Sequence, residues 1–478
     1  MASSAPQRFD RSIVEGSLPR AVWRLAWPTM LQNLLGGLQG IIDHAMVGHF
    51  VGYTANAAIG VSWQVFLVVI VFISSLYSGM GVLVARFAGA GDADKVNRTV
   101  YQAFLVTIVL AGGIMAPIGY AISPALLDFV NATPEVQAAA LPYLRTMFTF
   151  GIGLLLFFLI GGAFRAAGDA QTPLRLGILL SVLNVLFNIV LIGGLGPVPA
   201  YGAHGAAMGT VAAAGIVALL GLAKMFLPGS VLHLPRALLV RPDWSIIRAL
   251  FRFGLPTGLQ GVAMNIGGVM LLRFIGALPQ SARAQAAYAI GYTELFSLIT
   301  FTSVGVMGAT SVIVGQNLGA GHLDRACRGA VVSSRLGLAV AVVVGLLFVT
   351  IPDMLLAVFG MDDPETLSLA RGLLAHLAVS GLFVTVALAY TGALQGTGDT
   401  RSPFYISIVS QVVIPLGLCV IFQRVGVFEP TDIWRAIVAG HVARCVLSWY
   451  RFRQRRWQRI VVDIGAPAPV SARSEVSR

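Results

Sequence analysis

Long apolar stretches alternate with short polar ones along the whole chain. Each apolar stretch approaches or exceeds the ~20 residues that an α-helix needs to cross a bilayer, and Gly, Pro and charged residues gather in the gaps between them. The pattern predicts twelve helices, at residues 22–49, 57–84, 98–122, 138–163, 173–195, 204–227, 246–275, 285–313, 327–351, 367–393, 403–423 and 433–451.

Composition places these helices in lipid. Charged residues make up 11% of the 478 residues, against about 25% in an ordinary soluble protein. Hydrophobic residues make up 57%, and the mean hydropathy is +0.82. We therefore expect an all-α integral membrane protein that contacts membrane lipid over most of its surface.

The distribution of basic residues predicts the orientation. The net charge is +12, and the basic residues fall in short gaps and in the run RFRQRRWQR at 451–459. Such residues mark cytoplasmic loops and tails that lie on anionic lipid, so we expect no nucleic-acid partner. Residues 1–20 lack the apolar core of a signal peptide. Both termini are therefore expected in the cytoplasm, with the chain in the inner membrane.

Three motifs occur twice, in the same order. RLAWPTMLQ (24–32) returns as RFGLPTGLQ (252–260), ARFAGAGDADKVNR (85–98) as GQNLGAGHLDRACR (315–328), and GGAFRAAGDAQTP (161–173) as TGALQGTGDTRSP (391–403). The repeat predicts two pseudo-symmetric six-helix bundles related by an axis along the membrane normal, an arrangement that transporters use for alternating access. The expected division is 1–21 cytoplasmic segment, 22–227 N-terminal lobe, 228–245 inter-lobe loop, 246–452 C-terminal lobe and 453–478 basic tail.

The third motif also predicts helix starts. Asp169 and Asp399 precede the next helix, and Thr172 and Ser402 suit its N-cap position. Direct contacts that gate the transporter are the alternative role for this motif.

Two acids fall inside predicted helices, Asp43 in the first and Glu294 in the eighth. A carboxylate at membrane depth costs ~2.5–3.5 kcal/mol on insertion scales, so it normally faces a cavity or a partner. Desolvation favours the protonated form, and a cationic substrate can displace that proton. As alternatives, Asp43 could cap an irregular turn near 48–52, and Glu294 could pair with Arg273.

Five further side chains are candidates for a substrate or ion cavity. Asn184 and Asn188 lie one helical turn apart on the same face of the fifth helix, where helix–helix hydrogen bonding is the alternative role. His376 is a lone polar group in the tenth helix. Tyr288 and Tyr292 could line a cavity for flat cations, although membrane aromatics mostly serve packing.

The chain resembles the multidrug and toxic compound extrusion (MATE) family over residues 20 to 450. The resemblance rests on WPTMLQNLLGGLQGIIDHAMVG (27–48), on AYAIGYTELFSLITFTSVGVMGATSVIVGQNLGAG (287–321) and on the two GD-turn motifs. It implies a V-shaped pair of bundles and secondary active efflux of organic cations or drugs. Protons or sodium would supply the energy, with no other cofactor.

Within that family the chain is most similar to the bacterial DinF-like branch, for which proton coupling is expected. The resemblance identifies Asp43 with the ionisable aspartate of the first helix and Asn184 with an asparagine of the fifth. Asn188 stands where some members carry an aspartate, which puts a shared-proton or sodium network there in doubt. Glu294 matches a glutamate of the eighth helix in many members.

Two other functions are alternatives to efflux. A flippase for a lipid-linked precursor would need a cleft rich in cationic side chains, and few arginines fall deep in the helices. An intramembrane enzyme would need clustered acids or a metal-binding set, which two isolated acids and the scattered Cys327, Cys419 and Cys445 do not provide. We therefore expect a transporter without enzymatic activity or bound metal. A monomer is the expected oligomeric state, although no motif bears on it.

Overall fold

The structure, a computed structural model, describes residues 9–233 and 242–464. Regular structure there is helical, apart from an isolated bridge between Leu195 and Val198. Residues 1–8 of the predicted N-terminal segment, 234–241 of the inter-lobe loop and 465–478 of the basic tail lie outside the described residues.

Twelve long helical segments follow one another along the described chain. Each overlaps one of the helices predicted from the sequence. They are α1 (Leu18–Phe50), α2 (Tyr53–Gly89), α3 (Ala93–Phe129), α4 (Pro134–Phe150 continued by Ile152–Ala166), α5 (Gln171–Gly193), α6 (Gly202–Lys224), α7 (Trp244–Gly276), α8 (Ser281–Gly319), α9 (Leu323–Thr350), α10 (Pro364–Thr397), α11 (Arg401–Val425) and α12 (Pro430–Arg453).

Length and apolar composition fit most of these helices to a bilayer. Among the described residues, eight helices pass as single spans, and the two pieces of α4, bent by 50°, form a ninth. The bend falls at Gly151, a residue type that commonly accompanies sharp kinks. The chain is an all-helical membrane protein. We call α1–α6 the N-terminal lobe and α7–α12 the C-terminal lobe.

Three helices contain a segment of π-helix, namely α3, α8 and α11. The segment in α8 runs from Ala289 to Leu295 and includes Tyr292 and Glu294. Such segments are rare and frequently occur at functional sites, because the extra residue per turn redirects the side chains around it.

The GD turns have the same geometry in both lobes. Gly168 and Gly398 have positive φ angles of 104° and 91°. The Asp169 carboxylate then accepts from the backbone N–H of Thr172, and the Asp399 carboxylate from that of Ser402. The aspartates therefore cap α5 and α11, and the expectation that Thr172 and Ser402 would do so was wrong. A carboxylate two residues before each helix reaches the free N–H groups first.

The two lobes meet at one end of the molecule. We call this end the terminal face, because α1 begins and α12 ends there. A Cβ added to Gly79 of α2 would lie 2.0 Å from the Leu250 carbonyl oxygen of α7, and one added to Gly254 would lie 1.8 Å from the Ser75 carbonyl oxygen. Both pairs are in the halves of α2 and α7 near the terminal face. Only glycine allows the backbones to approach this closely.

Polar contacts reinforce this contact between the lobes. Gln316 of α8 donates to the Ala166 carbonyl oxygen of α4 over 2.8 Å. Arg98 of α3 forms an ion pair of 2.6 Å with Asp243, the N-cap residue of α7. The conformation is therefore one in which the lobes are joined at the terminal face.

Candidate functional site

Asp43 lies within α1, seven residues before the helix ends at Phe50. At a rise of 1.5 Å per residue it is about 10 Å from that end, which is opposite to the terminal face. Its half-buried carboxylate accepts a hydrogen bond of 2.7 Å from Asn188 Nδ2 of α5. Asp43 therefore bonds to a neighbouring helix and does not cap a turn near 48–52.

The asparagines extend this contact into the N-terminal lobe. Asn188 Nδ2 also donates to Asn184 Oδ1 over 3.2 Å, and Asn184 Nδ2 donates to Thr210 Oγ1 of α6 over 3.0 Å. Both asparagine side chains are fully buried. The spacing of one helical turn, noted in the sequence, lets one chain of hydrogen bonds join α1, α5 and α6.

The N-terminal site has spare acceptors. Asn188 Oδ1 is buried and receives no hydrogen bond within the described part of the chain. It lies against Gly209 of α6, where an added Cβ would be 2.4 Å away. Among the described residues, Asp43 Oδ2 receives no hydrogen bond either, and Tyr143 of α4 lies within electrostatic range of Asp43. Oxygen acceptors beside a carboxylate suit a proton or a small cation.

Glu294 lies in the π-helical segment of α8, thirteen residues from the start of that helix at Ser281. It is half-buried, whereas Arg273 of α7 is exposed. No ion pair joins the two in the described part of the molecule, so Glu294 does not pair with Arg273 in this structure. Asp43 and Glu294 belong to different lobes, and the structure does not bring them together.

His376 and the two tyrosines have different surroundings. His376 Nδ1 contacts the Gly372 carbonyl oxygen over 2.7 Å. Its ring lines an open groove of about 390 Å³ between α10 and α12, together with Arg435. Tyr288 stacks on Tyr292 with ring centroids 4.9 Å apart. The two tyrosines belong to the aromatic packing between α8 and α12, while His376 faces an open groove.

Arg444 of α12 was missed by the sequence reasoning. It is 2% exposed, and His441, one turn earlier, is 3% exposed. The signal for it was a basic residue well inside the predicted helix 433–451. Thr210 and Gly209 left no signal, because small residues are common throughout apolar helices.

Comparison with known proteins identifies the family. The MatE family model matches residues 28–190 and 256–421, more than half of the chain. The two matches begin 228 residues apart, the spacing of the first repeated motif. They cover corresponding parts of the two lobes.

Two relatives align over most of the chain. A probable multidrug resistance protein NorM of Thermotoga maritima is 26% identical over 440 residues, covering 92% of this chain and 93% of its own. The multidrug resistance protein MdtK of Pectobacterium atrosepticum is 27% identical over 448 residues, covering 91% and 95%. The alignments therefore extend across both lobes.

A solved structure of a multidrug resistance MATE family transporter of the MOP superfamily, in an outward-facing conformation, has the same fold. Its TM-score is 0.87 at 19% identity, covering 96% of this chain and 100% of that one. The predicted fold of two six-helix bundles is thus confirmed. With the family model matching both lobes, the chain belongs to the MatE family and is a membrane transporter, not an enzyme.

Proposed function

We propose that this transporter exports organic cations and other drug-like compounds from a bacterial cell in exchange for protons. The observation that carries the proposal is the Asp43 carboxylate, held within a membrane helix by Asn188, with Asn188 Oδ1 beside it as a buried acceptor that receives no hydrogen bond in the described part of the chain. The relatives described above are named as multidrug resistance proteins, which supports a drug substrate. The resemblance of α1 and α5 to the DinF-like branch supports protons over sodium.

The chemistry at Asp43 is a competition for one carboxylate. Membrane burial favours the protonated, neutral form. A cationic substrate near the site favours the charged form and so releases the proton. Because the two states exclude each other, binding of the substrate is coupled to loss of the proton. Asn188 holds the carboxylate in position in both states.

The lobes supply the second requirement, alternating access. With the lobes joined at the terminal face, we propose that protons and substrate reach Asp43 from the opposite side of the membrane. We propose that the lobes separate at the terminal face to admit substrate, and close there to release it. The glycine contacts between α2 and α7 support this, since they bring two backbones together without interlocking side chains.

The terminal face is proposed to be cytoplasmic, in the bacterial inner membrane. Basic side chains lie at this face, including Arg98, Arg325 and Arg451, which join it to neighbouring segments by hydrogen bonds and ion pairs. An excess of Lys and Arg in short loops marks the cytoplasmic side. We keep the predicted division into two lobes with cytoplasmic termini, and we expect a monomer.

Glu294 is proposed as a second acid in the C-terminal lobe. Its carboxylate is half-buried and has no ion-pair partner in the described part of the molecule. It is free to bind a proton or part of a cationic substrate. Glu294→Gln is expected to reduce efflux of divalent cationic drugs more than that of monovalent ones.

Everted membrane vesicles with an imposed proton gradient test the proposal, with uptake of a fluorescent organic cation as the readout. We expect uptake by the wild type at constant sodium, loss of uptake in Asp43→Asn, and normal uptake in Asp362→Asn. Asp362 is an exposed acid in the loop before α10 and serves as the matched control. Undiminished uptake in Asp43→Asn, or uptake driven by sodium alone, would contradict the proposed coupling.

A further inference from the structure

Arg444 is the most deeply buried unpaired charge that we find in the described residues. It lies fourteen residues from the start of α12 at Pro430 and nine before its end at Arg453. At 1.5 Å per residue it is therefore about 13 Å from the nearer end of the helix. None of the ion pairs between described residues includes it.

Its hydrogen bonds are missing as well. Arg444 Nε is buried and has no acceptor within the described chain. Arg165 of α4, by contrast, has hydrogen-bond acceptors for its guanidinium. It donates to Gln32 Oε1 over 2.6 Å and to the Tyr77 hydroxyl over 3.0 Å. Buried charges in proteins are normally paired and hydrogen-bonded. The described chain offers no such partner to Arg444, so we expect the partner to come from outside the chain.

The groups around Arg444 can all donate hydrogen bonds. His441 and Ser448 lie on the same face of α12, one turn before and one turn after Arg444, and each has a buried polar atom without a partner in the described structure. Tyr292 of α8 lies within electrostatic range of the guanidinium. Hydroxyl and imidazole groups donate readily, and a guanidinium only donates.

Aromatic rings of α8 pack against α12 beside Arg444. Phe296 contacts His441 with ring centroids 5.7 Å apart, and Tyr292 contacts Phe296 at 5.4 Å. Glu294 is two residues from Tyr292 and so projects from a different side of the helix. The site around Asp43 and the group around Arg444 therefore differ in charge and in hydrogen-bonding character. The N-terminal lobe offers hydrogen-bond acceptors around the Asp43 carboxylate, and the C-terminal lobe offers hydrogen-bond donors around the Arg444 guanidinium.

We propose that Arg444, His441, Ser448 and Tyr292 form a binding site for a small monovalent anion such as chloride. The anion would supply the missing counter-charge and accept hydrogen bonds from Arg444 and Ser448. It would stabilise the C-terminal lobe whether or not transport is under way. The inference is therefore independent of the proposed efflux function.

The test compares thermal stability of the purified full-length protein in sodium chloride and in sodium gluconate at equal ionic strength. We expect a saturable rise of the melting temperature with chloride in the wild type. Arg444→Met should remove the chloride dependence and melt at a higher temperature than the wild type in gluconate, since it no longer buries an unpaired charge. Arg165→Met, which changes an arginine whose hydrogen bonds are made within the chain, should keep the chloride dependence.

Ser448→Ala provides a second variant that keeps the charge. Loss of one hydrogen bond to an ion should raise the chloride concentration for half of the effect by about tenfold. A wild type that melts identically in both salts would overturn the proposal. So would a chloride dependence retained in Arg444→Met, or an unchanged midpoint in Ser448→Ala.

Discussion

Asn188 of α5 donates a 2.7 Å hydrogen bond to the carboxylate of Asp43 of α1, and this bond joins two helices of the N-terminal lobe inside the membrane. The same amide group also bonds to Asn184. The position of Asp43 therefore depends on a side chain that carries no charge. Any movement of α5 relative to α1 changes the surroundings of the proposed proton site.

Replacement of Asn188 tests this dependence. Asn188→Ala removes the donor to Asp43 and leaves Asn184 Oδ1 without its partner. A hydrogen bond to a charged group contributes about 1.5–3 kcal/mol, so we expect efflux to fall by about tenfold or more. Proton-driven uptake in vesicles measures the effect.

The matched control for this substitution is Asn265→Ala. Asn265 is an exposed asparagine of α7 that donates to the Gly261 carbonyl oxygen of its own helix. Its replacement should leave uptake near the wild-type rate. Equal losses in the two variants would show that the membrane helices tolerate neither change, and would remove the special role of Asn188.

Gly209 of α6 packs against the oxygen of the Asn188 side-chain amide. An added Cβ would lie 2.4 Å from Asn188 Oδ1, so Gly209→Ala should displace the asparagine from Asp43. Overpacking of this kind costs about 1–3 kcal/mol. We expect a lower melting temperature and reduced drug uptake.

Gly215→Ala, in the same helix, separates packing from helix propensity. A Cβ at Gly215 meets no atom within 4 Å. Alanine favours helix by up to about 1 kcal/mol over glycine, so this variant should be as stable as the wild type or more so. If Gly209→Ala behaved like Gly215→Ala, the tight contact with Asn188 would be refuted.

The glycine contacts between the lobes predict a conformational effect. Gly79→Ala places a methyl group against the Leu250 carbonyl oxygen, so the lobes can no longer close at the terminal face. We expect transport to fall while folding is retained. Spin labels at Ala90 and Ala320, in the repeated turns of the two lobes, should move apart in this variant.

Gly81→Ala is the control in the same helix, because a Cβ there meets no atom within 4 Å. It should leave both the label distance and transport unchanged. An unaltered label distance in Gly79→Ala would contradict the account of closure at the terminal face.

The contacts of Asp243 predict that the stability of the folded protein depends on pH and on salt. Partial burial raises the pKa of Asp243, but hydrogen bonds from Ser245, Arg98 and Ile246 outweigh it and leave the pKa below its ordinary value. The stability that the carboxylate contributes is therefore complete at neutral pH, and is lost as the pH falls through the lowered pKa. Loss of the N-cap in Asp243→Ala should cost about 0.5–2 kcal/mol.

Arg98→Met removes the ion pair with Asp243 and keeps the cap. Because the pair is partly exposed, it should cost less than the cap, about 0–1 kcal/mol, and this loss should shrink at high salt. Chemical denaturation of the two variants at low and high salt measures both quantities. A larger loss in Arg98→Met than in Asp243→Ala would reverse the assigned roles.

The sequence predicted the helices and their repetition well, because apolar length and repeated turns are local properties. It also indicated Asp43 and Asn188 as candidate site residues, because an acid and two amides at helical spacing are rare in apolar helices. Thr210 and Gly209 could not be predicted, because their role depends on which helix packs against α5. The unpaired state of Arg444 likewise depends on the packing of α8 against α12.

The most direct test of the central claim is proton release on drug binding, measured with a pH-sensitive dye and the purified protein in weakly buffered detergent solution. The wild type should release protons when an organic cation is added. Asp43→Asn should release fewer, and Asp362→Asn as many as the wild type. Drug binding by the wild type without proton release, or equal release from Asp43→Asn, would contradict an exchange of drug for protons at Asp43.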